Sequence, residues 1–188
     1  MELQEQIRST ATELFRTKGL KFTMEDVAKE MHVAKKTIYK LYQSKEDLLM
    51  DLVNTGFDKI QQSKQKILDS DLPMKEKIGR VLIEMPEDYK TIDFRNLGGI
   101  ETKYPEVWKA IAMRLESEWE PIYELLREGQ RLGRIRDIQL PVFKQIVTSS
   151  IDSFLYSDDL KKAEISYHDA LQEMVNILMK GVWDDSAE

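Results

Sequence analysis

Along almost the whole chain apolar residues recur every three to four positions, the spacing of an α-helix, and no stretch alternates as a half-buried strand would. Ile7, Ala11, Leu14 and Phe15 mark one helical face, with Gly19 placed to close that helix and Leu20 and Phe22 to plug a small core. Two helix starts follow. Thr23 with Asp26 three residues on, and Ser44 with Asp47, both pair a capping side chain with an acid in the first turn, where the helix dipole favours negative charge. Between them Val27, Ala28, Met31, Val33, Ile38 and Leu41 supply a second apolar face.

The helix opening at Ser44 continues through Leu48, Leu49, Leu52, Val53, Phe57 and Ile60 to Ile67 or Leu68. That is longer than a three-helix head requires, so it is expected to bridge the head to a body. Beyond it, five prolines punctuate the same 3.6-residue periodicity. Helices are predicted over 73–85, from 88 or 93 to 103, over 105–132 with a kink or break at Pro121, over 141–156 and over 166–183, with a surface connection at 129–137. The predicted fold class is all-α. A three-helix helix-turn-helix domain is expected over 1–47 and a larger helical domain over 48–188.

Charge sharpens this division. The net charge is -6 and the pI 5.2, yet residues 1–50 carry nine Lys and Arg against eight Asp and Glu, leaving 19 basic and 26 acidic residues for the remainder. Any affinity for nucleic acid would therefore have to be local to one face, on a head carried by an acidic body that would discourage indiscriminate sticking. Lys35, Lys36, Lys40 and Lys45 fall in a window from His32 to Lys45 that holds no acid, an electrostatic footprint for phosphate.

Other chemistry is excluded or thinly supported. With no cysteine there is no disulfide framework and no thiolate metal site. The opening Met-Glu-Leu-Gln-Glu lacks the features of a secretory signal, and no apolar run approaches the roughly 18 residues of a membrane span, so a cytoplasmic protein without membrane partners is expected. No glycine-rich phosphate loop, hydrolase elbow or zinc-protease pairing occurs, and Glu164 with His168 makes only two potential metal ligands. Neither an enzyme nor a cofactor is expected.

In a helix-turn-helix the second helix enters the major groove, which makes Ala34, Lys35, Lys36, Thr37, Tyr39 and Lys40 candidate contacts, flanked by Thr23 and Lys45 at helix starts facing phosphate. Four lysines on a surface helix also fit ordinary solubilising charge, and Tyr39 a core edge.

These residues carry a resemblance. Ala11, Leu14, Phe15 and Gly19, then Thr23, Val27, Ala28, Val33, Ala34, Lys35, Lys36, Thr37, Ile38, Tyr39, Tyr42, Ser44, Lys45 and Glu46, resemble in type and spacing the amino-terminal DNA-binding domain of the tetracycline-repressor (TetR) family of bacterial transcription regulators. The resemblance covers about the first quarter of the chain. His32 stands where the family often has the turn glycine, a position needing a left-handed backbone. Lys36 replaces a small residue, and Leu41 a common Tyr or His. The resemblance implies DNA-contacting roles for Thr37, Tyr39 and Lys45, a homodimer on a roughly palindromic double-stranded operator, and release by a small-molecule effector, most often from repression.

For the dimer, the candidates are Ile146, Ser150 and Phe154 on one late helix and Leu171, Met174, Val175, Leu178 and Met179 on the next, which could pair with their symmetry mates as a four-helix bundle or face the monomer's own core. For an apolar or amphipathic effector, Met85, Tyr89, Phe94, Tyr104, Trp108, Met113, Trp119 and Tyr123 form an adaptable aromatic and Met-rich set, equally suited to an ordinary core. Two rival readings remain: a helical small-molecule carrier or enzyme whose amino-terminal helices are only structural, and a regulator answering to a protein partner.

Overall fold

The computed structural model describes residues 2–90, 92–117 and 119–183. It is all-α. Among the described residues there is no strand, only an isolated antiparallel bridge between Ile135 and Trp183, and no helix is long and apolar enough to cross a membrane.

The helices are α1 (Leu3–Lys18), α2 (Met24–Glu30), α3 (Lys35–Tyr39), α4 (Lys45–Leu68), α5 (Met74–Ile83), α6 (Glu87–Lys90), α7 (Ile100–Lys103), α8 (Pro105–Ser117), α9 (Glu120–Arg131), α10 (Leu140–Tyr156), α11 (Asp158–Lys162) and α12 (Tyr167–Val182), with 3-10 turns at Gly19–Lys21 and Phe94–Leu97. They divide into two compact units. Unit 1 is Met1–Asp58 with Ile92–Arg114, and unit 2 is Lys59–Thr91 with Leu115–Glu188. These units interleave along the chain.

Unit 1 begins with the helix-turn-helix. The Thr23 hydroxyl accepts from the Asp26 amide at 3.1 Å while the Thr23 amide donates to the Asp26 carboxylate at 2.8 Å, a reciprocal capping box. Ser44 and Asp47 repeat it at 3.0 Å in both directions. Gly19 closes α1 at φ 56, and His32 turns α2 into α3 at φ 54, the left-handed backbone its position calls for. Ile7, Phe22, Val27, Ile38 and Leu48 are fully buried beneath these turns.

The course of the chain before α8 departs from expectation. One helix ending at 103 was predicted; the chain instead forms α6, the second 3-10 turn and α7. The Asp93 side chain caps the turn by accepting from the Arg95 amide at 3.1 Å, and Gly99, at φ 82, reverses the backbone before α7. Gly98 and Gly99 together make a continuous helix costly there.

In unit 2, α5 packs on α9 and α12, and α10 on α12. Ile78, Val81, Leu126, Phe143, Val147, Leu171 and Val175 form its core. The break expected near Pro121 is present: α8 ends at Ser117, and α9 opens at Glu120 with Pro121 in its first turn, where a missing amide hydrogen costs nothing. The five-residue α11, capped by Ser157 accepting from the Leu160 amide at 3.3 Å, was not predicted.

Candidate nucleic-acid interface

α3 is short, and a single fully buried residue, Ile38, anchors it to the head. The same turn of helix leaves Ala34, Lys35, Lys36, Tyr39 and Lys40 exposed and Thr37 half-buried. These are the candidate contacts that the docking of a helix-turn-helix singles out.

The four lysines are not equivalent. Lys35 donates to the carboxylate of Glu25 on α2 and lies 5.5 Å from the centre of the Tyr39 ring. That hydrogen bond holds the Glu25 carboxyl below its usual range and raises Lys35 above its own. Lys36 and Lys40 are exposed and make no ion pair among the described residues. Lys45 points inward: its ammonium donates to the carbonyls of Leu20 at 2.6 Å and Phe22 at 2.5 Å, and sits 4.2 Å from the Phe22 ring centre and 5.7 Å from that of Tyr104. Burial lowers its pKa, and Lys103 nearby lowers it further.

Thr23 is exposed at the start of α2, its hydroxyl also donating to the Asp26 carboxylate at 2.9 Å. Asp26 is pushed down to about 2, first by the Lys18 ammonium at 2.9 Å and then by the Thr23 amide and hydroxyl. Sequence reasoning missed Glu25. Ten residues separate it from Lys35, and an acid in a first turn is ordinary, so only the fold reveals the pairing.

The effector candidates are distributed. Phe94, Tyr104, Trp108 and Met113 belong to unit 1; Met85, Tyr89, Trp119 and Tyr123 belong to unit 2. Trp119 is buried and stacks obliquely on Tyr123, with ring centres 5.8 Å apart, whereas Met113 is 65% exposed. Met85, Tyr89, Phe94, Tyr104, Trp108 and Tyr123 are half-buried.

Among the dimer candidates, Leu171, Met174, Val175 and Met179 are buried within unit 2, so that four of the five α12 candidates already have a cover. Ser150, Phe154 and Leu178 are half-buried. Ile146 is exposed in a row on α10 with Val142, Ser149, Ser153 and Tyr156, and Ile177 is exposed on α12. No cluster of three metal-ligating side chains occurs among the described residues.

Comparison with known proteins bears on the whole chain. Residues 7–52 match the model for bacterial regulatory proteins of the tetR family. The chain is 24% identical over 184 residues to YvaF of Bacillus subtilis (strain 168), described as an uncharacterized HTH-type transcriptional regulator, covering 97% of each protein. A crystal structure of a TetR/AcrR-family transcriptional regulator from Thermobifida fusca YX-ER1 is similar at 25% identity and a TM-score of 0.69, covering 95% of this chain and 97% of that one. A candidate transcriptional regulator from Saccharomonospora viridis, solved in complex with choline, shares the fold at a TM-score of 0.78 and 18% identity over 96% of this chain and 97% of that one. A capped, cationic helix-turn-helix matched at 7–52, continued by a helical body of the same fold, makes residues 7–52 a tetR-family DNA-binding domain by sequence and the whole chain similar to TetR-family transcriptional regulators.

Proposed function

We propose that this regulator is a ligand-responsive repressor that binds a palindromic operator as a homodimer and is released by a small-molecule effector. The observation that carries the reading is α3, fixed by Ile38 and presenting Lys36, Tyr39 and Lys40 outward. Thr23, Ala34, Lys35, Lys36, Thr37, Tyr39 and Lys40 would face the duplex, the lysines and helix starts on phosphate and the remainder on base edges and sugars. A cytoplasmic location follows from this reading.

A single head of this size binds weakly, and two recognition helices about 34 Å apart would enter successive major grooves. The exposed α10 row, with Ile177 of α12, supports a self-complementary face for that dimer: apolar residues at its ends and serines between them allow close approach of a second copy. The choline complex of the Saccharomonospora viridis protein supports a small organic effector, and the aromatic and Met-rich candidates suit one that is apolar or amphipathic. An effector that prefers a conformer with misplaced heads lowers DNA affinity, and DNA lowers effector affinity by the same factor.

Selection of bound duplexes from a random pool at stated salt, with Tyr39→Ala as control, tests the reading. An inverted repeat enriched by the wild type and lost in the variant is expected. No enrichment by a folded dimer stripped of small molecules would overturn it.

A further inference from the structure

We propose that Lys103, the last residue of α7, is a DNA-backbone contact contributed from outside the helix-turn-helix: its ammonium reaches a phosphate next to the one expected at Lys45. The proposal rests on the operator-binding reading above and extends the phosphate-facing surface beyond residues 7–52, which carry the family match.

Two contacts within unit 1 bring this part of the chain to the head. Asn96 lies against Gly19, so close that a Cβ on the glycine would meet the Asn96 Cβ at 3.1 Å, and the Tyr104 ring centre stands 5.7 Å from the Lys45 ammonium. Between them Ile100, 1% exposed, anchors α7. The Lys103 amide donates to the Gly99 carbonyl at 3.0 Å and the Tyr104 amide to that of Ile100 at 2.8 Å. The backbone that carries Lys103 is thereby fixed beside the start of α4, while Lys103 itself is exposed and makes no ion pair among the described residues.

The charges gathered there favour an anion. Burial first, and then the charge of Lys103, lower the Lys45 pKa, so two ammonium groups share one neighbourhood. Asp26 acts on Lys45 in the opposite sense, but its carboxylate is already engaged by the Lys18 ammonium at 2.9 Å and the Thr23 amide at 2.8 Å. Lys45 commits two of its three ammonium donors to the Leu20 and Phe22 carbonyls and keeps one for a ligand. Phe22 immediately precedes Thr23, the residue that caps α2, so Thr23, Lys45 and Lys103 belong to one side of the head. The DNA backbone, a row of single negative charges, relieves the repulsion between the two lysines and gives up its counterions to them.

Duplex binding across a salt series tests the proposal, on the selected operator and on a random-sequence duplex alike, because a phosphate contact carries no sequence information. Lys103→Met is expected to lower the log–log salt slope by about 0.9 per head on both duplexes, with sequence preference unchanged. Lys109→Met removes an exposed lysine of α8 that lies 4.0 Å from Glu106, and is expected to leave the slope as it was. An unchanged slope in Lys103→Met would overturn the proposal, and so would an equal fall in both variants, which would reduce Lys103 to a part of the general field. If the wild type enriches no operator but binds the random duplex with a slope that depends on Lys103, the operator reading fails and the contact stands. If it selects an operator with a slope indifferent to Lys103, the contact alone fails, and if it binds neither duplex, both fall.

Discussion

The phenol of Tyr42 donates a hydrogen bond to the carboxylate of Asp51, and the Arg8 guanidinium donates to the same oxygen from 3.2 Å. These residues sit on α1, just after α3 and on α4, so one carboxylate ties together three parts of the head. Burial opposes ionisation of Asp51, but the hydrogen bonds from Tyr42 and then Arg8 outweigh it and hold its carboxyl below the ordinary 3.8. A depressed carboxylate contributes stability above its unfolded pKa and loses it as pH falls through the folded one. Tyr42→Phe is therefore expected to cost about 1–2 kcal/mol at neutral pH, with the deficit shrinking below pH 3.8. Urea unfolding of both proteins across that range checks it; a deficit independent of pH would remove Asp51 from the account.

Thr23→Ala removes one side of the capping box and is expected to destabilise the head by about 1 kcal/mol. The Asp26 carboxyl, about 2 in the intact box, should titrate closer to its ordinary 3.8 in the variant while remaining depressed by Lys18. Carboxyl-carbon NMR titration reads this directly, and an unmoved Asp26 would show that Lys18 alone sets its value.

On the operator-binding reading, Glu25 would compete with DNA for Lys35. In Glu25→Gln the Lys35 ammonium is released and an acid is removed from the interface, so affinity for all duplexes should rise several-fold and the salt slope should steepen by about 0.9 per head. Binding isotherms at a series of salt concentrations test this. A changed sequence preference at constant slope would instead place Glu25 on a base.

Gly19 combines a left-handed φ of 56 with close packing: a Cβ there would meet the Asn96 Cβ at 3.1 Å and its carbonyl oxygen at 3.3 Å. Gly19→Ala is expected to cost about 1–2 kcal/mol from the backbone alone, with the contact adding to it. Adding Asn96→Gly, which removes the Asn96 Cβ, should recover only the side-chain part of the contact. Full recovery in the double variant, measured by thermal unfolding, would mean that the backbone carries no strain.

Ile146→Glu and Ile177→Glu place charge on the exposed α10 and α12 surface without disturbing the core of unit 2. Sedimentation is expected to show dimers converted to monomers of unchanged melting temperature, with operator affinity falling accordingly. Persistent dimers in both variants would move the interface elsewhere.

The features legible in the sequence are those whose physics is local. A side-chain cap needs only its own first turn, so Thr23, Ser44, Asp26 and Asp47 announced two helix starts, and a tight turn needs one left-handed residue, so Gly19 and His32 could be assigned. The broken course of the chain before α8 was lost because Asp93 and two adjacent glycines overrule an apolar periodicity that continues past them. α11 escaped because five residues are too short for a helical face to show. The α12 stripe was ambiguous for another reason. Periodicity identifies an apolar face but not its cover, and α5 supplies that cover within the chain. Lys35 and Lys45 look alike in sequence, and only partners 10 to 25 residues away give one to Glu25 and the other to two carbonyls.

The interleaving of the two units means that the DNA-binding head has no single seam. A fragment cut after Asp58 keeps every residue of the helix-turn-helix but discards Asn96 from beside Gly19 and the Tyr104 ring from beside Lys45. Excising the head for DNA work would thus inflict a wound on its 3-10 turn, and a shortened chain that retains Ile92–Arg114 by grafting is the better object for isolating it.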